Sequence, residues 1–251
     1  MKKLGFGFFL VLLAASVVFA GGQKDADDGT VRITVASDAT WPPMEFVDAT
    51  GVIVGFDIDL LNAVAEAGGF EVEVQNTAWD GIFAGLANGD YDAVISSVTI
   101  TEERQRSMAF STPYINAGQV LIVPAGSSAK NLSDLSGQQV GAQIGTTGAF
   151  EIEKVAGVTL LTYDEIGLAV EDLANGRISG VVCDSPIAAD YVLQNDNYSN
   201  KLQIAGDPFT EEFFGIAVQK GNAEVLEMIN AGLQVVLNDG TVEDLKDKWL
   251  R

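Results

Sequence analysis

Leu86-Ala87-Asn88-Gly89, followed shortly by Val94-Ile95-Ser96-Ser97, returns later in the chain as Leu173-Ala174-Asn175-Gly176 followed by Val181-Val182-Cys183-Asp184. Asn and Gly suit the caps that close helices, so the four-residue match alone could be two ordinary helix ends. The flanks make it a repeat. Ahead of the first copy, residues 31–36 alternate and stop at Ser37-Asp38, as a strand entering a loop does. Residues 57–67 carry Ile58, Leu61, Val64 and Ala65 at helical spacing and end at Gly68-Gly69, residues 70–74 alternate again, and Ile82, Phe83 and Leu86 fit a short helix. Ahead of the second copy, residues 138–143 read as a strand, 150–155 as a helix, 158–162 as a strand, and Ile166, Val170 and Leu173 as a helix face. Each half is strand, helix, strand, helix, strand, which predicts a parallel sheet with covering helices, twice over.

Two apolar, strand-like runs at residues 119–123 and 215–218 lie at the boundaries of the halves, and the chain near each is a candidate crossing between lobes. The last segment has Leu226, Ile229, Leu233 and Val236 on one helical face, a break at Asn238-Asp239-Gly240, and a short helix to Trp249. It is expected to pack back on the first lobe. Ligands of open α/β sheets bind beyond the carboxyl ends of the strands, so two such lobes predict a cleft between them.

The composition narrows what the cleft can do. With 251 residues and 47% hydrophobic content there is material for two cores. Fourteen basic against 35 acidic residues give a net charge of −21, which repels phosphate backbones and anionic lipid surfaces, so neither nucleic acid nor a membrane surface is an expected partner. The chain has no histidine, hence no Ser-His or Cys-His nucleophile pair and no imidazole metal ligand. No metal or cofactor is expected. The single cysteine, Cys183, cannot form an internal disulfide and has no cationic neighbour in sequence to activate it, so it reads as a packing residue. Lys2 and Lys3, the apolar residues 4–19 and Val18-Phe19-Ala20 read as a secretory signal peptide over residues 1–20, cleaved after Ala20. Residues 21–30 follow as a polar, flexible leader. No cysteine follows the apolar run to take a lipid anchor, and no later stretch is long and apolar enough to span a bilayer, so an extracytoplasmic protein is expected.

The residues following predicted strands are Asp38 and Trp41, then Trp79, then Ser96 to Thr101 with Arg104, then Gln143 to Gly148, and Asp184. A guanidinium, several hydroxyls, a glycine-bearing turn and a carboxylate complement a small zwitterion. Arg104 can hold a carboxylate through two parallel hydrogen bonds. Gly145-Thr146-Thr147-Gly148, between a strand and a helix, offers free N–H groups to an anion, and it lacks the Gly-Lys-Ser/Thr pattern of a nucleotide loop. Asp184 can accept hydrogen bonds from an ammonium. Each has a plainer reading. Glu102-Glu103-Arg104-Gln105-Arg106 could be a solvated helix start, Asp184-Ser185-Pro186 a helix N-cap, and Trp41 and Trp79 core or rim aromatics.

Residues 38–46 (Asp-Ala-Thr-Trp-Pro-Pro-Met-Glu-Phe), 55–60 (Gly-Phe-Asp-Ile-Asp-Leu), 99–104 (Thr-Ile-Thr-Glu-Glu-Arg) and 110–114 (Phe-Ser-Thr-Pro-Tyr) resemble the signatures of the polar amino-acid-binding proteins of bacterial ABC importers, solute-binding protein family 3. The resemblance runs from about Val31 to the C-terminus. It implies the type II periplasmic binding protein fold: two Rossmann-like lobes joined by two hinge strands, with residues 31–117 and 209–251 in the first lobe and 118–208 in the second. It implies a free amino acid as ligand and ABC importer permease subunits as partners; a monomer is the default expectation for a binder that must close freely. It further implies that Arg104, Thr99, Thr147 and the backbone near Ser97 hold the α-carboxylate, with Ser96 and Thr146 in the same turns. Asp184 would bind the α-ammonium, Trp41 and Trp79 would sandwich the side chain, and Asp38 with Gln143 would face its far end.

Where some relatives carry lysine, Gln143 leaves the distal pocket without a positive charge, which weighs against an acidic ligand. Asp38 in a dry cleft needs a donor, and two tryptophans suit a cation. Arginine or lysine is therefore expected first and glutamine next. The competing expectation is an enzyme, because periplasmic cyclohexadienyl dehydratases resemble these binders; such a site needs a general acid over the leaving hydroxyl, and Asp184 is the one carboxylate central enough. A sensory input domain is a third class, disfavoured because no second hydrophobic span follows.

Overall fold

The structure, a computed structural model, describes residues 30–251; the signal peptide read at residues 1–20 and nearly all of the leader lie outside the described residues. The first stretch runs β1 (Arg32–Ser37), a small antiparallel ribbon of β2 (Thr40–Trp41), β3 (Glu45–Val47) and β4 (Ile53–Val54), then α1 (Phe56–Gly68), β5 (Glu71–Asn76), α2 (Ile82–Asn88), β6 (Ala93–Val94), α3 (Glu102–Ser107) and β7 (Met108–Phe110). After β8 (Ile115–Ala117) come β9 (Gln119–Pro124), β10 (Gln139–Gln143), α4 (Thr147–Glu153), β11 (Thr159–Tyr163), α5 (Ile166–Ala174), β12 (Gly180–Asp184), α6 (Ser185–Ala189) and β13 (Leu202–Ala205). The chain returns through β14 (Glu212–Phe214) and β15 (Ala217–Gln219) and ends in α7 (Ala223–Val236) and α8 (Thr241–Trp249).

The repeat seen in the sequence is a repeat of topology. One sheet is ordered β5-β1-β6-β15-β7 and the other β11-β10-β12-β9-β13. In each, three strands pair in parallel, joined by helices, and a fourth enters antiparallel: β15 against β6 in one, β9 against β12 in the other. The expected all-parallel sheets are therefore mixed. The reason is the crossing: β9 and β15 each begin just after the chain has passed between lobes, so they enter their sheets from the cleft side and run against the others. The apolar runs at 119–123 and 215–218 belong to these strands, and the crossing segments are their short neighbours, β8 and β14, which pair antiparallel with Glu212 opposite Ala117 and Phe214 opposite Ile115.

Local signals account for the ends of the elements. Gly69 and Gly89 close α1 and α2 in the left-handed conformation. α4 begins at Thr147, ahead of its apolar face, because the Thr146 hydroxyl accepts from the Ala149 N–H at 3.3 Å and caps the helix. The C-terminal helix returns to the first lobe as expected, with its apolar face covered: Ile229, Leu233 and Val236 share a core with Phe56, Leu60, Leu61 and Val64. A Cβ at Gly232 would lie 2.1 Å from the Val64 carbonyl oxygen, so α7 and α1 cross where only glycine fits. α8 is tied to the same helix by the Trp249 indole N–H, which donates to Asp59 Oδ2 at 2.7 Å. Leu121, Val123, Ile152 and Val182 form a second core under the other sheet.

Candidate functional site

The carboxyl ends of β1, β6, β10 and β12 all point at the gap between the two sheets. β1 delivers Asp38, whose backbone N–H donates to Ser96 Oγ at 3.0 Å. Its carboxylate is bonded on both oxygens: Oδ1 accepts from the Thr40 hydroxyl at 2.9 Å and Oδ2 from Gln143 Nε2 at 2.8 Å. Burial raises the Asp38 pKa, the two hydrogen bonds oppose the shift, and the charge of Glu165 adds to it. Gln143, at the end of β10, gives its second amide hydrogen to the Asp164 carbonyl at 2.8 Å. The Asp38–Gln143 contact therefore joins the two lobes. The donor that a dry Asp38 requires comes in part from the protein itself.

β6 ends early because the chain turns sharply into the cleft: Ser97 has φ of 48°, a left-handed conformation uncommon outside glycine. Its N–H donates to Asp57 Oδ2 at 2.7 Å, so of the backbone near Ser97 its own N–H is already taken and its carbonyl is what remains for a ligand. Asp57 Oδ2 also accepts from the Tyr114 hydroxyl at 2.8 Å, and the Ser96 hydroxyl donates to Glu45 Oε1 at 2.9 Å. Glu45 and Asp57 are fully buried. Burial pushes Glu45 well above the usual carboxylate range, with the charge of Asp57 adding, and burial carries Asp57 to about 6. Asp57 Oδ1 has no hydrogen-bond partner among the described residues, and the two carboxyl groups lie together behind the cleft, both raised chiefly by burial.

Arg104 sits in the first turn of α3, whose N-cap Thr101 hydroxyl accepts from the Arg104 N–H at 3.1 Å. The other polar side chains of that helix are exposed, as a solvated helix start requires, but Arg104 turns inward. Its guanidinium donates to the Thr99 carbonyl at 2.9 Å and, across the gap, to the Gly145 carbonyl at 3.3 Å. It lies over the rings of Trp79 and Phe83, 5.4 and 5.1 Å from their centroids. Burial lowers its pKa to about 10, with Asp184 and Glu212 opposing, so it is charged at any physiological pH.

From the second lobe come Thr146, Thr147 and Asp184. The Thr146 hydroxyl donates to the Gln143 carbonyl at 2.8 Å, which together with its capping bond makes it a support of the turn. Asp184 stands at the N-cap position of α6, yet its side chain makes no capping bond. It points into the cleft, where Oδ1 accepts from Gln119 Nε2 at 2.7 Å. Burial first, and the negative charge of Glu212 second, push Asp184 up to about 8.

Asp38, Trp41, Trp79, Ser96, Ser97, Thr99, Arg104, Gln143, Thr146, Thr147 and Asp184 all line one cavity with about 310 Å³ of atom-free space, together with Glu45. The sequence pointed to all of these except Glu45. It also missed Asp57, Gln119, Phe83 and Glu212, which support the lining. An acidic residue inside Pro43-Met44-Glu45-Phe46 and another inside Gly55-Phe56-Asp57-Ile58 were visible as charges among apolar neighbours. Gln119 and Glu212 carried no such signal, because the contact of Gln119 with Thr147 depends on the packing of β9 against α4, and that of Glu212 on how the lobes meet.

Residues 33–251 match the bacterial extracellular solute-binding proteins, family 3. A probable histidine-binding protein of Neisseria gonorrhoeae is 38% identical over 250 residues, covering 96% of this chain and 92% of the relative. An ancestral arginine-binding protein bound to arginine is 42% identical with a TM-score of 0.83, covering 88% of this chain and 98% of that one. The structure of an ancestral arginine-binding protein bound to glutamine gives 43% identity and a TM-score of 0.82, covering 87% and 97%. With two repeated lobes on two hinge strands, a polar cleft between them and a match spanning both, the chain belongs to the bacterial extracellular solute-binding proteins, family 3.

Proposed function

We propose that this protein captures a basic amino acid, arginine or lysine ahead of glutamine, between its lobes outside the cytoplasm and delivers it to the permease subunits of an ABC importer. The observation that carries the ligand class is the charge of the cleft. Arg104 is the one cation lining it among the described residues, against Asp38, Asp184 and a Glu45 that accepts from the Ser96 hydroxyl and is paired with Asp57 behind the wall. One carboxylate thus remains for a second positive charge beyond the α-ammonium. Asp38 keeps lone pairs beside its bonds to Thr40 and Gln143. Trp41 and Trp79 flank the path and favour a flat or cationic side chain.

In this reading Arg104 and the N–H groups of Thr99 and Thr147 hold the α-carboxylate, Asp184 with the Ser97 carbonyl binds the α-ammonium, and Asp38 with Gln143 takes the distal group. Residues 31–117 with 209–251 move as one body and 118–208 as the other, hinging at β8 and β14. The ligand bridges both, so its differential affinity favours the closed form. The names of the relatives, which include histidine-, arginine- and glutamine-binding proteins, support an amino acid and an importer.

Calorimetric titration of protein refolded free of ligand against the twenty amino acids tests the proposal. Binding of arginine or lysine is expected, with Asp38→Asn removing the preference for a basic side chain. Arg104→Ala and Asp184→Ala should each cost about 2–5 kcal/mol of binding, as removal of one partner of a buried charged pair does. Near-unchanged affinity in both would overturn the site roles, and binding of glutamine alone would reassign the distal pocket. One observation favours a dehydratase: an Asp184 held near 8 is protonated at neutral pH, as a general acid must be. Its bond from Gln119 and its position beside Arg104 suit an ammonium better, and no product is expected from prephenate or arogenate.

A further inference from the structure

Glu212 opens the returning hinge strand β14 and is buried, with no basic side chain bonded to it among the described residues. Its carboxylate instead collects neutral donors. Oε2 accepts from the Thr99 hydroxyl at 2.9 Å, from the Thr147 hydroxyl at 2.8 Å and from Gln119 Nε2 at 3.4 Å, while Oε1 accepts from the Thr210 hydroxyl at 2.8 Å. Thr99 belongs to the loop after β6 and bridges to Phe214 beside the hinge, so it travels with the first lobe. Thr147 starts α4 of the second lobe, and Gln119 starts β9. One carboxylate therefore grips a hydroxyl from each side of the cleft, at the point where the chain crosses between them.

We propose that Glu212 is an interlobe latch, a hinge-borne acceptor that holds the closed arrangement without a ligand and thereby sets how much of the ligand's binding energy goes into closure. The chemistry requires a carboxylate. Only an acceptor-only group with about four lone-pair sites can take all of these donors, and separation of the lobes would pull the Thr147 bond from it. The latch also fixes polarity within the cleft. A hydroxyl has one hydrogen, and those of Thr99 and Thr147 go to Glu212, so neither is left to donate to a ligand, and the Thr147 oxygen already accepts from Gln119 Nε2 at 3.1 Å. The α-carboxylate is then left to Arg104 and backbone N–H groups, and the Thr99 oxygen joins Asp184 in favouring an ammonium.

The inference deepens the hinge-closure reading, but its first test needs no ligand. Spin labels on cysteines replacing exposed Ala84 in α2 and exposed Glu153 in α4 report the separation of the lobes; Cys183 is buried away from the label. In the refolded, ligand-free protein a closed population is expected. Glu212→Ala should shift it to the open distance, and Glu212→Gln, which keeps one acceptor oxygen, should lie between. Saturating L-arginine should return all three to the same closed distance, with the apparent affinity lowered by the factor by which the closed fraction fell. A ligand-free distance distribution that matches the unsubstituted protein in either folded variant overturns the latch. If L-arginine closes none of the three while the ligand-free distances still differ, the ligand reading fails and the latch stands.

Discussion

Asp184 takes its chemistry from its surroundings. Burial and the charge of Glu212 carry its pKa from 3.8 to about 8, so at neutral pH the empty cleft holds mostly a neutral carboxyl there. An ammonium pairs with the ionised form, so binding below pH 8 releases a proton. Affinity for a basic amino acid should accordingly rise with pH between about 6 and 8, by up to roughly tenfold per unit, and level off above. Calorimetry at three pH values, in buffers of different ionisation enthalpy, reads both the slope and the proton. Asp184→Asn should bind weakly with no slope, and an equal slope in that variant would assign the proton elsewhere. The same shift acts on the ligand-free fold with a definite sign. A carboxyl whose folded pKa is raised contributes most below its unfolded value, and that contribution is lost as pH rises through about 8; the ligand restores it. Arg104 and Asp184 were legible in sequence because a strand end followed by a charged residue is a local pattern. The engagement of the Ser97 N–H by Asp57, and of the threonine hydroxyls by Glu212, was not.

Among the elements, α1 and α7 carry the tightest contact, and glycine makes it possible. Gly232→Ala would push a methyl group to 2.1 Å from the Val64 carbonyl, so the helices must separate. Overpacking of this kind typically costs about 1–3 kcal/mol, which for a protein of this size lowers the melting temperature by roughly 2–4 °C for each kcal/mol. A thermal melt of the variant checks this; an unchanged midpoint would mean that the helices slide apart freely. The apolar spacing of α7 was readable, since Leu226, Ile229, Leu233 and Val236 lie on one stripe. That it would return to the first lobe was expected, but that α1 is the helix it crosses was not readable, because a helix face states only that it must be covered. The antiparallel entry of β9 and β15 was hidden for the same reason: period-two alternation carries no direction.

At the scale of the whole molecule, two sheets of like topology face each other across a cleft whose far walls already touch, through Asp38–Gln143, Arg104–Gly145 and Thr147–Glu212. A ligand that bridges them binds the folded, closed chain alone. Arginine at one hundred times its dissociation constant should therefore stabilise the protein by about 2.7 kcal/mol through mass action. Differential scanning calorimetry across a series of arginine concentrations should show a midpoint that climbs logarithmically. A midpoint that stays fixed for all amino acids would sink the capture proposal and bring the dehydratase assay forward.

Sequence alone determined the repeat, the alternation of strands and helices, the acidic and histidine-free character that disfavours much hydrolase and metalloenzyme chemistry, and the residues that end up around one cavity. These follow from periodicity and capping, which act over a few neighbours, and from composition, which needs no geometry. Tertiary structure decided which donor meets which acceptor. Gln143 reaches Asp38 over 105 positions, and Glu212 reaches Thr99 over 113 and Thr147 over 65. Those meetings depend on strand order, register and the angle between lobes, and a hydrogen bond is made or lost within a few tenths of an ångström. No local pattern of residues carries that information, so the lining of the cleft was legible and its polarity and latch were not.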